Sequence, residues 1–137
     1  MSAPSRVTAR VVAAAGLGYD AYAHLDLAAN FDANRALISQ GMLFRVEAAF
    51  AILVALLVAL IQHRAAAIFV LLIAGSALGA VLVYRYVDVG ALGPLPNMYE
   101  PSWYLEKSYS AIAEAAAILS AAVLFFSRSG EQWPAPD

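Results

Sequence analysis

The sequence predicts an all-α polytopic membrane protein, a single four-helix transmembrane bundle of up-down topology. Three observations predict it. The first is composition: of 137 residues, 63% are hydrophobic and 13% charged, against about 45–50% and about 25% in an average soluble chain. Mean hydropathy is +0.72. A soluble chain this short must cover a large surface with polar groups, and this one lacks them. The second is that apolar residues gather in runs close to the ~20 residues a spanning helix needs. The third is that turn-forming and polar residues fall between those runs.

The first span covers Val11–Ala29 and is the least clean, because it holds Asp20, His24 and Asp26. The second covers Met42–Ile61, with Arg45 and Glu47 near its start and a purely apolar half from Ala51 to Ile61. The third, Ala65–Tyr84, has no internal charge, and the fourth, Ser108–Phe126, has one, Glu114. Length favours helix over strand, and open sheet edges are not viable in lipid. Asn30–Gln40 reads as a loop and Gln62-His63-Arg64 as a tight polar turn. Val87–Glu106 is a long connection whose Pro94, Pro96 and Pro101 forbid a continuous helix. Both tails are expected to be poorly ordered. A competing reading of the first span is a signal peptide: Arg6 and Arg10, a short apolar run, then Ala21-Tyr22-Ala23 as a cleavage site. The short run and Asp20 weigh against it.

A net charge of −2 without a basic stripe excludes nucleic-acid binding. The absence of cysteine excludes disulfides and thiolate metal sites. Basic residues tie between the faces, with Arg6, Arg10, Arg64 and Arg128 on one and Arg35, Arg45, Arg85 and Lys107 on the other. The second face also carries Asp32, Asp88, Glu100 and Glu106. On this distribution both termini are expected in the cytoplasm of a multi-pass cell-membrane protein. Tyr84, Tyr86, Tyr99, Trp103, Tyr104 and Tyr109 mark the outer interface.

The ionisable residues are the most informative feature, because those inside the spans, with several that border them, fall toward one end of an up-down bundle. These are Asp20, His24 and Asp26 from span one, Arg45 and Glu47 from span two, Arg85 after span three, and Glu106, Lys107 and Glu114 from span four. At 1.5 Å per residue, His24 and Glu47 lie about 8 Å below that end, Glu114 about 9–10 Å and Asp20 about 13 Å. Asp20 and His24 are four apart and share a helix face, while Tyr22 and Asp26 share another. Intramembrane charges normally face the interior in pairs. Two readings stand. One is a satisfied ion-pair network, with Arg45 on an acid and His24 on Asp20. The other is a polar pocket opening outward under the long loop, with Asp20, Tyr22, His24, Asp26, Arg45, Glu47, Arg85, Lys107 and Glu114 as candidate ligand-binding residues. The pocket would suit a small polar ligand, a quinone or lipid headgroup, a proton or a metal ion.

As a metal set, His24, Glu47, Glu114 and Asp20 suit zinc, iron or manganese by ligand type. They include one histidine and no Glu-x-x-His pair of the di-iron bundles, and no cofactor is expected. Glu47 and Glu114 each open an Ala-rich stretch, a weak echo of a two-plus-two helix duplication. Span three contains a GxxxG pattern at Gly75 and Gly79, for which packing within the chain is expected ahead of a dimer seam. No phosphate loop, His-Glu-x-x-His or nucleophile elbow is present.

Tyr22-Ala23-His24-Leu25, the run Gly41-Met42-Leu43-Phe44-Arg45-Val46-Glu47 and Pro96 through Glu114 resemble the small four-span membrane proteins common in high-GC actinobacteria. In architecture alone the chain is similar to DoxX-like four-helix proteins. The resemblance implies no established reaction. The expected function is therefore non-catalytic: an accessory or interaction component of a membrane assembly. Its partner, or a second copy of the chain, would meet it through Gly75/Gly79 or loop 87–106. A small transporter or ligand-binding protein using the polar pocket is the alternative, and a membrane redox or metal enzyme the third reading.

Overall fold

The structure, a computed structural model, describes residues 1–127, and its regular structure is helical. Four helices follow one another: α1 (Ala3–Ala28), α2 (Gln40–Leu60), α3 (Arg64–Tyr86) and α4 (Leu105–Phe126). A 3₁₀ turn at Ala29–Phe31 ends the first. Three of them, α2, α3 and α4, are long and apolar enough to cross a membrane. Their 21, 23 and 22 residues extend about 31–35 Å, a match for a hydrocarbon core of about 30 Å. With 26 residues α1 is long enough, but Arg6, Arg10, Asp20, His24 and Asp26 keep it out of that class.

Local chemistry sets the helix starts. The Ser2 hydroxyl accepts from the Ser5 amide at 3.3 Å, with Pro4 in the first turn where its missing N–H costs nothing. Ser39 caps α2 through the Met42 amide at 3.0 Å, and the His63 ring caps α3 through the Ala65 amide at 3.0 Å. The beginning of α1 is a correction to the expected disordered N-terminal tail. Residues 3–10 are helical, and Arg10 donates to the Val58 carbonyl at 3.0 Å and the Ala59 carbonyl at 2.6 Å. That guanidinium satisfies two carbonyls that the end of α2 leaves without helical partners. The C-terminal tail, with Arg128, Glu131 and Asp137, lies outside the described residues.

Helix α1 packs against α2 and α4, and α3 packs against the same two. The core is built from small residues, including Ala13, Ala21, Ala48, Ala51, Ala66, Ala74, Ala117 and Ala121, with Leu17, Val58 and Val70 among the larger ones. Bulky apolar side chains point away from it: Leu53, Leu60, Leu72, Ile112, Leu119 and Phe126 are exposed. Water would drive this arrangement the other way. In lipid no such force separates helices from solvent, and small residues let backbones approach. Gly16 marks the closest approach of α1 to α4, where an added Cβ would stand 2.6 Å from the Ala113 carbonyl oxygen. Gly41 does the same for the turn after α1, its missing side chain leaving room for the Ala28 carbonyl and the Asp32 carboxylate. Gly75 and Gly79 do not pack within the chain, for an added Cβ at either meets nothing within 4 Å. That corrects the expected intrachain role of the GxxxG pattern.

The two loops at one end form a joint cap. The Ile38 amide donates to the Pro94 carbonyl at 3.0 Å, and the Asn34 side-chain amide donates to the Asn97 carbonyl at 2.9 Å. The Glu100 amide donates to the Tyr84 carbonyl at 3.0 Å, tying the long loop to the end of α3.

Candidate functional site

Under this cap lies a cavity of about 330 Å³ to which all four helices contribute, within the ~300–1,000 Å³ range of small-molecule sites. Its walls are mostly apolar, with Leu27, Phe31, Leu43, Phe44, Ala77 and Val81 among them. Its polar groups are His24, Gln40, Glu47, Ser76, Tyr84, Glu100, Tyr104, Lys107 and Ser110. Val46 of α2 and Ser76 and Ala80 of α3 line it yet are exposed on the outer surface. The cavity therefore opens sideways between α2 and α3, about 9–15 Å from the loop end of α3 on the helical rise.

The most buried part of the site lies behind this cavity. Gly16 brings α1 against α4, and one turn later Asp20 reaches Ser110 and Glu114. Asp20 and Glu114 are each 0% exposed. The His24 Nδ1 stands 3.0 Å from Asp20 Oδ1 and 2.8 Å from the Asp20 carbonyl oxygen. Two acceptors on one residue thus hold the ring, whose edge meets Phe44 at 5.0 Å between centroids. Ser110 Oγ lies 3.2 Å from Asp20 Oδ1 and 2.9 Å from Glu114 Oε1. A hydroxyl carries one proton and donates once. It can serve both carboxylates only by sharing that proton, or by accepting from one of them when that carboxyl is protonated. Asp20 Oδ2, Glu114 Oε2 and Glu47 Oε1 are buried with no hydrogen-bond partner. Glu47 interacts electrostatically with both Asp20 and His24.

Of the residues expected in a pocket, the structure brings together Asp20, His24, Glu47 and Glu114, with Lys107 near the cavity roof. Lys107 is 8% exposed, and its ammonium donates to the Glu100 carbonyl at 2.8 Å and the Ser102 carbonyl at 3.0 Å, so it pins the long loop to α4. Four others stand elsewhere. Arg45 makes a two-pronged pair with Asp32, at 2.6 and 2.9 Å, on the outside of the cap. Arg85 stacks on Tyr86 and Trp103, 4.8 and 5.9 Å from the ring centres. Tyr22 is 58% exposed and meets Tyr19. Asp26 is exposed and interacts with Glu106 across α1 and α4. Both pairs foreseen for a satisfied network exist, His24 with Asp20 and Arg45 with an acid, but they are separate. Ser110, which links Asp20 to Glu114, was legible only as the residue four before Glu114 on the same helix face. The Asp32 partner of Arg45 has no spacing signal, because it sits in a loop.

Arg45 holds the Asp32 carboxyl below its ordinary value of 3.8, chiefly through that hydrogen-bonded contact. A depressed folded-state value means the pair contributes above the unfolded value and is lost as pH falls through the folded one. Amide protection in segment 30–40, taken relative to the intrinsic exchange rate at each pH, is expected to fall below about pH 4 and to lose this pH step in Asp32→Asn. An unchanged step in that variant would assign it to another group.

At the opposite end Arg6, Arg10, His63 and Arg64 surround a second cavity of about 400 Å³. No protein-family model, curated protein or solved structure matches the chain.

Proposed function

We propose that this chain is an integral membrane protein that binds a small amphiphilic molecule in the cavity under the loop cap. In this reading all four helices cross the bilayer as an up-down bundle, with α1 carried by its partners. The observation that carries the proposal is the cavity's combination of walls and mouth. Its lining is apolar, with His24, Glu47 and Ser110 as polar groups, and its opening between α2 and α3 faces where acyl chains would lie. A quinone or lipid headgroup with a hydrocarbon tail fits such a site better than a freely water-soluble solute. The basic cavity at Arg6, Arg10, His63 and Arg64 supports both termini lying on the cytoplasmic side, where anionic lipid is enriched.

The test is gentle extraction from native membranes, followed by mass spectrometry of the organic extract of the purified protein. A stoichiometric amphiphile is expected, lost in Ala80→Trp, which blocks the mouth at an exposed position. In Glu47→Gln its affinity is expected to fall about 10-fold, the size of one charge-assisted hydrogen bond. An extract holding only bulk membrane lipid, identical in Ala80→Trp, defeats the proposal.

A second reading, an accessory component of a membrane assembly, is favoured by the outward-facing Gly75 and Gly79, which leave a close-approach surface open on α3. There Gly75→Leu is expected to release a stoichiometric protein partner or second copy, seen as a smaller complex on native gels. A lone protein of unchanged size sets this reading aside.

A further inference from the structure

We propose that Asp20, His24 and Glu114 form a binding site for one divalent transition-metal ion inside the helix assembly, with Glu47 beside it. One ligand atom from each of the three residues lies within 4.8 Å of the other two. Ligands about 2.0–2.2 Å from one ion stand about 3–4 Å apart, so small side-chain movements close the set. The donors are one imidazole nitrogen and carboxylate oxygens, a mixture suited to zinc, manganese or ferrous iron rather than to copper(I) or calcium.

Proximity alone would not carry this. The second observation is the orphaned oxygens. Asp20 and Glu114 are 0% exposed, yet Asp20 Oδ2, Glu114 Oε2 and Glu47 Oε1 meet no donor, and the Glu47 and Glu114 carboxyls instead face that of Asp20. A buried acceptor without a donor is costly, and three converge here.

The third observation is charge. Asp20 and His24 from α1, Glu47 from α2 and Glu114 from α4 bring three carboxyls and one imidazole to one place. Among the described residues no lysine or arginine pairs with any of the three acids. Lys107, the nearest on α4, is engaged by the carbonyls of Glu100 and Ser102. Arg45 is engaged by Asp32, and Arg10 by the end of α2. Buried negative charge needs a compensating positive one, which here must be bound protons or a bound cation.

The proton held between His24 Nδ1 and Asp20 is what a metal would replace. Uptake of the ion therefore releases protons. His24 and Ser110 also line the cavity, which gives the ion a path from outside the helices.

The site shares His24 with the cavity wall, but Asp20 and Glu114 do not line the cavity, so changes at Glu114 separate the two. The experiment uses the full chain in detergent, stripped with chelator at acid pH and returned to neutral pH. Zn²⁺ and Mn²⁺ are titrated separately by calorimetry in two buffers of different ionisation enthalpy. Expected is one ion per chain, with proton release. Glu114→Gln, which keeps volume and the Ser110 hydrogen bond, should weaken binding about 100-fold or more, since even outer-shell changes cost about 10–100-fold. Ala80 supplies no ligand, so Ala80→Trp should leave the equilibrium affinity unchanged and slow only the uptake through the cavity mouth. Where Glu114→Gln fails to accumulate, His24→Gln reads the same loss from a residue on the cavity wall. No uptake of either ion by the stripped protein, or undiminished uptake in the variant, overturns the proposal and leaves protons as the occupant.

Discussion

Replacing Gly16 with leucine is expected to separate α1 from α4 and dismantle the buried cluster with it. Any Cβ at this position stands 2.6 Å from the Ala113 carbonyl oxygen and 3.1 Å from the Ala117 Cβ. The first is backbone, so relief requires a whole helix to move rather than a side chain to rotate. Overpacking of this kind costs about 1–3 kcal/mol, and more where backbone must shift. The displacement would also draw Asp20 away from Ser110, orphaning groups worth about 1–3 kcal/mol each. A total loss of about 3 kcal/mol or more follows. Gly18→Leu is the matched control. It lies half a turn away, is exposed, and meets nothing within 4 Å, and leaving glycine there gains helix propensity. Unfolding in mixed micelles, followed by far-UV circular dichroism, should show Gly16→Leu failing at far lower denaturant than Gly18→Leu. Coincident curves would mean that the α1–α4 contact does not limit stability.

The contrast between those glycines shows how far the sequence could be read. Composition and run length located α2, α3 and α4 to within a few residues, because a span in lipid must be apolar throughout and the turns between must not be. The clustering of Asp20, His24, Glu47 and Glu114 was legible for a related reason: charge in a span is costly wherever it occurs, so its position along each helix is conspicuous. Rotation about each helix axis was not legible. When every face is apolar, no periodicity says which one turns inward. Gly75 and Gly79 therefore read as packing residues and face outward, while Gly16, in an ordinary Ala-Gly stretch, makes the closest approach. Arg45 was misplaced for the opposite reason. Its long side chain reaches out of the helix to Asp32 in a loop, and position along the chain carries no trace of that reach. The extension of α1 to Ala3 depends on the Ser2 cap and on Arg10 meeting the end of α2. The second of these is a contact across 48 residues of sequence.

Glu114→Leu is expected to make the protein more stable, and the sign of that change decides what the buried cluster is for. Leucine fills a similar volume without a polar atom, and Ser110 retains Asp20 as an acceptor at 3.2 Å. The change removes one buried carboxyl, its orphaned Oε2 and its repulsion from Asp20 and Glu47. Exchanging buried charged groups for apolar ones of similar volume is often neutral or stabilising by about 1–4 kcal/mol. A gain of about 1 kcal/mol raises the melting temperature by roughly 4 °C in a chain of this size. Asp20→Leu should gain less, because its carboxylate faces both His24 at 3.0 Å and Ser110 at 3.2 Å, although His24 keeps the residue-20 carbonyl at 2.8 Å and Ser110 keeps Glu114 at 2.9 Å. If Glu114→Leu melts higher and has lost its ion, Glu114 is retained at a cost in stability, as expected of a residue kept for binding. If it melts several degrees lower, the carboxyl is a structural member of a satisfied network. The orphaned oxygens would then have partners in water or lipid, and the electrostatic case for a cation between α1 and α4 would fail at its root.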